Sequence, residues 1–404
     1  MRCDIVASGK DRSREGAATK RIGRILGGMA SLLGITVALG MTPAQAAEPI
    51  RIGAIFSVTG PASFLGEPER NTAKMLEEDL NRDGGLLGRK VEIIVYDDES
   101  DATKAVTAVD RLLKRDRVVA IVGPSTSGSS LAIIPKVEEG QIPLLSCAAA
   151  KKIADPVKRW VFKTPQNDSL AVGKIYQHAR KSGISKVAIL TVSDAFGAAG
   201  REELKSLAPQ AEMTIVADEV FGPKDTDMTA QLTRIKGTEA QAIIVWGTNP
   251  GPAVIARNRV QLKIALPLYM SHGVASKKFI ELAGPENAEG ILLPAGRLIV
   301  EAQLPAGDPY KKILAGYIRE YEGKFKQPVS TFGGHAWDAV MLAAQAIRNA
   351  KSAEPAAIRD ALEKIRGFYG TAGDFNFSAE DHSGLTEQAF VMVRITKGEW
   401  ELLR

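Results

Sequence analysis

The feature that most constrains this chain is a rhythm of short apolar runs and amphipathic stretches that alternate from residue 50 onward. Residues 50–56 predict a strand that ends at Ser57-Val58-Thr59-Gly60-Pro61, a turn cluster. Ala73, Leu76 and Leu80 fall at helical spacing, predicting a helix over 69–82 that Gly84-Gly85 stops. A strand follows over 91–96, then a helical face of Ala105, Val109 and Leu112. Residues 118–122 form a continuous apolar run, as a parallel strand buried on both faces requires. A helix over 129–139, with Pro135 inside it, and a strand over 142–145 complete this series. After Pro165 the pattern resumes, with strands over 186–192, 213–220, 241–246, 266–270 and 290–293. Helices fall between them at 197–208, 227–237, 251–262 and 276–283. Residues 308–366 read as largely helical, and a strand over 389–395 closes the chain. Strand–helix alternation predicts an α/β fold of parallel sheets with right-handed crossovers. At 404 residues the chain exceeds what one hydrophobic core usually serves, so two lobes are expected.

The first 46 residues read as an address. Basic residues end at Arg24, a glycine-interrupted apolar run covers 25–41, and Ala44-Gln45-Ala46 follows. That is the order of a secretory signal peptide cleaved near Ala46. A membrane anchor is the competing reading, but the run is short and glycine-rich for a stable span. The net charge of +5 suggests a nucleic-acid binder only until this segment is set aside. Seven of the 52 basic and three of the 47 acidic residues lie in 1–46, leaving a body of 45 against 44. A near-neutral body has no footprint for phosphate backbones. Cys3 leaves with the signal, so Cys147 has no internal disulfide partner and reads as a buried apolar thiol.

In open parallel sheets ligands sit beyond the carboxyl ends of the strands. After 118–122 comes Gly123-Pro124-Ser125-Thr126-Ser127-Gly128-Ser129-Ser130, leading into a helix. Hydroxyls at a helix start, with free N–H groups and the helix dipole, suit an anion, most simply a carboxylate. Ser127 or Ser129 would equally serve as a helix cap. After 142–145 comes Ser146-Cys147-Ala148-Ala149-Ala150, where three small side chains let a ligand approach the backbone. A tightly packed turn is the plainer reading of that segment. Phe64, Phe196 and Trp246 lie near other strand exits, beside Asn249 and His272. Each aromatic alone is more often core than contact, but several at successive exits suit an apolar ligand body.

Enzyme motifs are scarce. No GxGxxG follows a strand, and there is no P-loop, GxSxG, HExxH or Cys/His ligand cluster. No cofactor and no metal site are expected. Asp97-Asp98-Glu99 reads as a solvated strand-end turn. An enzyme would need Cys147 or Ser127 as nucleophile with His272 as base, and nothing in the sequence orients that base.

Several segments then recur in a familiar order: Ile52-Gly53-Ala54-Ile55-Phe56-Ser57, Thr59-Gly60-Pro61, Asn81-Arg82-Asp83-Gly84-Gly85 and Tyr96-Asp97-Asp98. Val122-Gly123, the 125–130 stretch and Ala288-Glu289-Gly290 follow. From about residue 49 to its end the chain resembles the periplasmic leucine/isoleucine/valine-binding family, the type I solute-binding subunits of ABC importers. The resemblance implies two Rossmann-like lobes joined by three hinge crossings near Pro165, Pro294 and Asp374. Lobe one would take 48–164 and 296–373, and lobe two 165–295 and 374–404. It implies ligand capture in the interlobe cleft, lobe closure, delivery to a membrane permease, a periplasmic location and a monomer. The family's carboxylate-binding serine matches Ser127, and its backbone-donating exit matches Ala148 and Ala149, with Ala150 where a threonine is common. Its cleft aromatics match Phe64 and Phe196.

Two positions depart from the amino-acid binders. His272 stands where they place a glutamate against the ligand ammonium, and Asn249 where they place a tyrosine. A buried ammonium without a carboxylate partner costs several kcal/mol. A carboxylate with an apolar body is therefore expected. The Ser271-His272-Gly273 turn resembles that of family members that bind benzoate- or cinnamate-type acids, and the resemblance implies an aromatic acid, with His272 meeting a ring substituent or second oxygen. Alternatives are a branched-chain or other amino acid in the same importer family, or a periplasmic ligand sensor on the same fold.

Overall fold

The structure, a computed structural model, describes residues 48–403. The signal-peptide reading of residues 1–46 lies outside the described residues. The strands are β1 (Ile50–Phe56), β2 (Val91–Asp97), β3 (Ala120–Val122), β4 (Leu144–Ser146), β5 (Val161–Lys163), β6 (Lys186–Val192) and β7 (Thr214–Phe221). They continue with β8 (Ala242–Trp246), β9 (Leu268–Met270), β10 (Leu292–Ala295), β11 (Phe368–Tyr369), β12 (Asp374–Phe375), β13 (Val391–Thr396) and β14 (Glu399–Leu402). The helices are α1 (Ser63–Arg82), α2 (Ala102–Arg111), α3 (Ser127–Glu139), α4 (Asp168–Lys181), α5 (Ala195–Leu207) and α6 (Thr229–Lys236). Next come α7 (Gly251–Gln261), α8 (Lys277–Ala283), α9 (Pro285–Ala288), α10 (Lys311–Phe325), α11 (Thr331–Ala350) and α12 (Pro355–Leu362).

Two sheets carry the fold. The first has the order β2-β1-β3-β4-β5 and is parallel throughout. The second has the order β14-β13-β10-β9-β8-β6-β7, parallel from β10 to β7, with β13 and β14 added antiparallel at one edge. All residues of β3, β4 and β8 are buried, because helices cover both faces of a parallel sheet. This is the doubly wound α/β architecture that the alternation predicts.

Differences from the expected elements have local causes. Helix α1 starts six residues before the expected position and carries Pro68 inside it. Proline only removes one backbone hydrogen bond there, and the buried face of Leu65, Glu69, Thr72, Ala73 and Leu76 holds the helix. Strand β5 and helix α4 are not in the expected set. The strand is three residues long and buries a lysine, Lys163, which hides its apolar character. The helix does carry a readable stripe, Ala171, Val172, Ile175, Tyr176 and Ala179.

The chain changes side three times. Between β5 and α4 it leaves the first sheet for the second. After β10 it returns, and α11 packs in one core with β1 and α1. Phe375, Phe377, Leu385 and Ala389 still belong to that core, whereas Phe390 packs with Tyr176 and Trp246 of the second. By packing, the change of core falls between Ala389 and Phe390. Gln166 sits at the first crossing, and its amide donates to Ala372 O at 3.0 Å and Ala389 O at 3.3 Å.

Helix α5 is seated on β8 by a missing side chain. A Cβ at Gly200 would lie 2.1 Å from Trp246 Nε1, and Trp246 is wholly buried. Gly200→Ala is expected to destabilise the protein by about 1–3 kcal/mol, although alanine is the better helix former. Urea denaturation measures this, and an unchanged midpoint would show that α5 is not held against Trp246.

Candidate functional site

A cavity of about 360 Å³ opens where the carboxyl ends of both sheets meet. One wall comes from the first-sheet half: Ser125 to Ser129 after β3, Cys147 to Ala149 after β4, and Leu65, Phe332 and His335 from α1 and α11. The other comes from the second: Val192 at the end of β6 with Asp194 and Phe196 after it, Phe221 at the end of β7, Thr248 and Asn249 after β8, and His272 after β9. Pro165 of the first crossing lies between them.

The hydroxyls of the first wall differ in what they have left to offer. Ser125 Oγ accepts from Ser57 N–H at 2.9 Å and donates to the buried carboxyl of Glu69, so its proton is committed. Ser130 and Ser146 hydroxyls bond each other at 2.7 Å, and Ala148 N–H donates to Ser146 Oγ at 3.2 Å. Thr126, rather than Ser127 or Ser129, caps α3, accepting from Ser129 N–H at 3.2 Å. That leaves Ser127 free of capping. Its Oγ accepts from Ala150 N–H at 3.3 Å, which keeps the hydroxyl proton for the cavity. The first N–H groups of α3 have no intrahelical partner. Together they make a wall of donors backed by a helix dipole.

The second wall is largely apolar, with two charged side chains, Asp194 and the exposed Lys224. His272 is buried and stands edge-on to Phe196 and Trp246, with ring centres 5.6 and 5.7 Å away. Burial, with the Lys163 charge behind it, pulls the His272 imidazolium down to about 3, and His335 likewise. His272 is thus neutral at pH 7, and its 3.8 Å approach to Asp168 is not an ion pair. Asn249 is buried with neither end of its amide hydrogen-bonded to protein. Asp194 caps α5, accepting from Gly197 N–H at 2.8 Å, and burial raises its carboxyl above the usual range.

Of the expected residues, Ser127, Ala148, Ala149, Phe196, Asn249 and His272 line the cavity. Phe64, Ala150 and Trp246 do not. Phe64 lies one position from Leu65 on α1, so it points about 100° away and packs edge-on against Phe332, 5.6 Å between centres. Trp246 turns to the face of β8 that α5 covers and lies under Gly200 and Phe196. Ala150 is fully buried and serves the site through its N–H. The acidic turn also differs from expectation. Asp98 is fully buried and accepts from Ser57 Oγ at 2.6 Å, so it braces the β1 exit rather than facing solvent. Cys147 lines the cavity, but burial and the nearby Glu69 push its thiol well up, so it is no thiolate nucleophile. Sequence reasoning missed Leu65, Phe221, Phe332 and His335. Phe332 and His335 come from α11, far along the chain, and no local pattern marks them. Among the described residues no group of His, Cys, Asp and Glu is arranged to hold a metal, and no helix is long and apolar enough to cross a membrane.

Neutral histidines have a readable consequence. The signals of His272 and His335 are expected to stay those of uncharged imidazole from about pH 5 to pH 8, followed by NMR of labelled histidine. In the unfolded chain both take up protons below about 6.5. The unfolded state then holds more protons than the folded one, so their contribution to stability is lost as pH falls below about 6.5. Two site histidines titrating near 6.5 would show that the cavity wall is wet and open.

Residues 49–399 match the periplasmic binding protein family. A curated relative, the leucine-, isoleucine-, valine-, threonine- and alanine-binding protein of Pseudomonas aeruginosa, is 26% identical over 89% of this chain and 92% of its own length. An extracellular ligand-binding receptor from Rhodopseudomonas palustris superimposes with a TM-score of 0.82 at 29% identity, covering 88% of this chain and 99% of the other. The substrate-binding protein of a branched-chain amino acid transporter from Streptococcus pneumoniae, solved with isoleucine, gives 0.78 at 25% identity, covering 88% and 99%. With both parallel sheets and the strand-end cleft in place, the chain belongs to the periplasmic binding protein family.

Proposed function

We propose that this protein is the solute-capturing component of an ABC importer. Residues 1–46 export it to the periplasm, and it works there as a monomer. It holds a small carboxylate between its lobes, closes over it and presents the closed form to a membrane permease. It performs no covalent chemistry. The observation that carries this reading is the asymmetry of the cavity. One wall offers Ser127 and the α3 N-terminus to an anion, and the other offers Phe196, Phe221 and a neutral His272 to an apolar body. Closure would turn on the crossings near Pro165, after β10 and near Ala389.

The relatives named for leucine, isoleucine and valine support an amino acid as the ligand. One feature favours a second reading, an amine-free aromatic acid. Among the residues lining the cavity the one carboxylate is Asp194, and it already caps α5. An ammonium would have to share that carboxylate or remain unpaired.

A thermal-shift panel of leucine, valine, benzoate, 4-hydroxybenzoate, cinnamate and aliphatic keto acids separates the readings. Some acid is expected to raise the melting temperature by mass action. Ser127→Ala is expected to weaken that acid roughly 5- to 150-fold, the equivalent of about 1–3 kcal/mol for a hydrogen bond to a charge. No shift with any acid would sink the carboxylate reading. Asp194→Asn keeps a helix-capping side chain. It is expected to weaken leucine about tenfold or more if the ammonium sits there, and to leave an amine-free acid within about threefold.

A further inference from the structure

Lys163, the last residue of β5, is the one lysine of the described residues with no exposure to solvent, and it does not line the cavity. Its Nζ donates to Ala149 O at 2.7 Å, to Asn167 Oδ1 at 2.8 Å and to Gln166 O at 3.4 Å. Three acceptors meet three ammonium protons, so the geometry suits the charged form. Burial pulls the ammonium down to about 7, even though the buried Asp168 carboxylate opposes that pull.

The first acceptor matters for the site. Ala149 O belongs to the Ala149–Ala150 peptide, and the N–H of that same peptide donates to Ser127 Oγ. The peptide is a conjugated unit. A cation on its carbonyl makes its N–H a stronger donor. A hydroxyl oxygen that accepts from such a donor is itself a stronger donor. The bond also turns the Ser127 proton away from Ala150 and toward the cavity. Lys163, peptide and Ser127 thus form a chain of three groups that ends in the anion wall.

We propose that Lys163 is a positioning residue for ligand specificity: through the Ala149–Ala150 peptide it arms the Ser127 hydroxyl for an anionic ligand that it does not touch. The inference rests on the carboxylate reading above. It adds to that site a buried cation that does not line the cavity, beside the exposed Lys224 that does. It also links the site to the first crossing, because the other two acceptors, Gln166 and Asn167, lie there.

The test is a double-mutant cycle on the mature chain, read by calorimetric titration with whichever acid of the panel binds the wild type. Lys163→Met leaves Asp168 buried without its countercharge, so K163M is paired with K163M/D168N, which removes both charges together. In the Ser127 background the double variant is expected to bind the acid about tenfold more weakly. In the Ser127→Ala background the same change is expected to cost less than about threefold, because the relay has lost its last member. Equal losses in both backgrounds would overturn the relay and leave Lys163 as a brace for β5. An unaltered affinity in the Ser127 background would overturn it as well. A wild type that binds none of the acids would fail the carboxylate reading itself, and the relay with it. A wild type that binds normally beside an unaffected variant fails the relay alone.

Discussion

A parallel strand covered on both faces has only its ends free for function, and that constraint organises this molecule. Strand β8 buries all five of its residues and β6 all but its first. Their backbone groups are paired in the sheet until the carboxyl end, where the ladder stops and loops take over. The helices that follow begin almost at once: α3 five residues after β3 and α5 three residues after β6. Each such junction brings unpaired N–H groups and a positive dipole end to one edge of a sheet. With two sheets placing that edge against a common cavity, the site exists before any special side chain is chosen. The side chains then decide what it accepts.

The same constraint governs how the halves are joined. The chain must cross between the sheets without leaving buried polar groups unpaired. Gln166 answers this by bonding its amide to Ala372 and Ala389 across the crossings. Thr331, at the start of α11, donates to Ala275 O beside His272. These contacts at the crossings are polar, although Ala199 of α5 also shares an apolar cluster with Ala148 and Ala150, whereas the cores on either side are extensive and apolar. A joint of that kind suits rigid bodies turning about short segments, since cores resist deformation more than a handful of hydrogen bonds do.

Much of this was legible in the sequence because parallel strands advertise themselves. Residues 118–122 and 242–246 are unbroken apolar runs, and the segments after them carry the hydroxyls and small residues that reach the cavity. Legibility failed where a residue's environment contradicts its chemistry. Lys163 looks like a solvent residue and is buried, so β5 went unseen. Asp98 looks solvated and is buried under Ser57. It also failed over direction. Phe64 and Trp246 are aromatics at strand exits, but one helical step turns the first onto Phe332 and strand alternation turns the second under α5. Periodicity assigns a face only when the neighbouring layers are known. The contribution of α11 could come only from the three-dimensional fold, because Phe332 and His335 lie some two hundred residues from Ser127 in the chain.

Three charges near the cavity are set in depth rather than on its surface. Lys163, Asp168 and Glu69 are all fully or almost fully buried behind the walls, whereas the lining consists of hydroxyls, amides, aromatic rings and neutral imidazoles with two charged side chains, Asp194 and the exposed Lys224. A cation placed directly in the cavity would need its own solvation in every unliganded cycle, at a cost of several kcal/mol after burial. Set one peptide back, Lys163 keeps a full shell of acceptors whether or not an anion is near. Its field reaches the ligand through low-dielectric protein, where screening is weak. An importer's binding protein must release its solute as readily as it takes it, so an indirect charge has an advantage over a direct ion pair. It biases the site toward anions without adding a bare charge of its own to be uncovered when the lobes part.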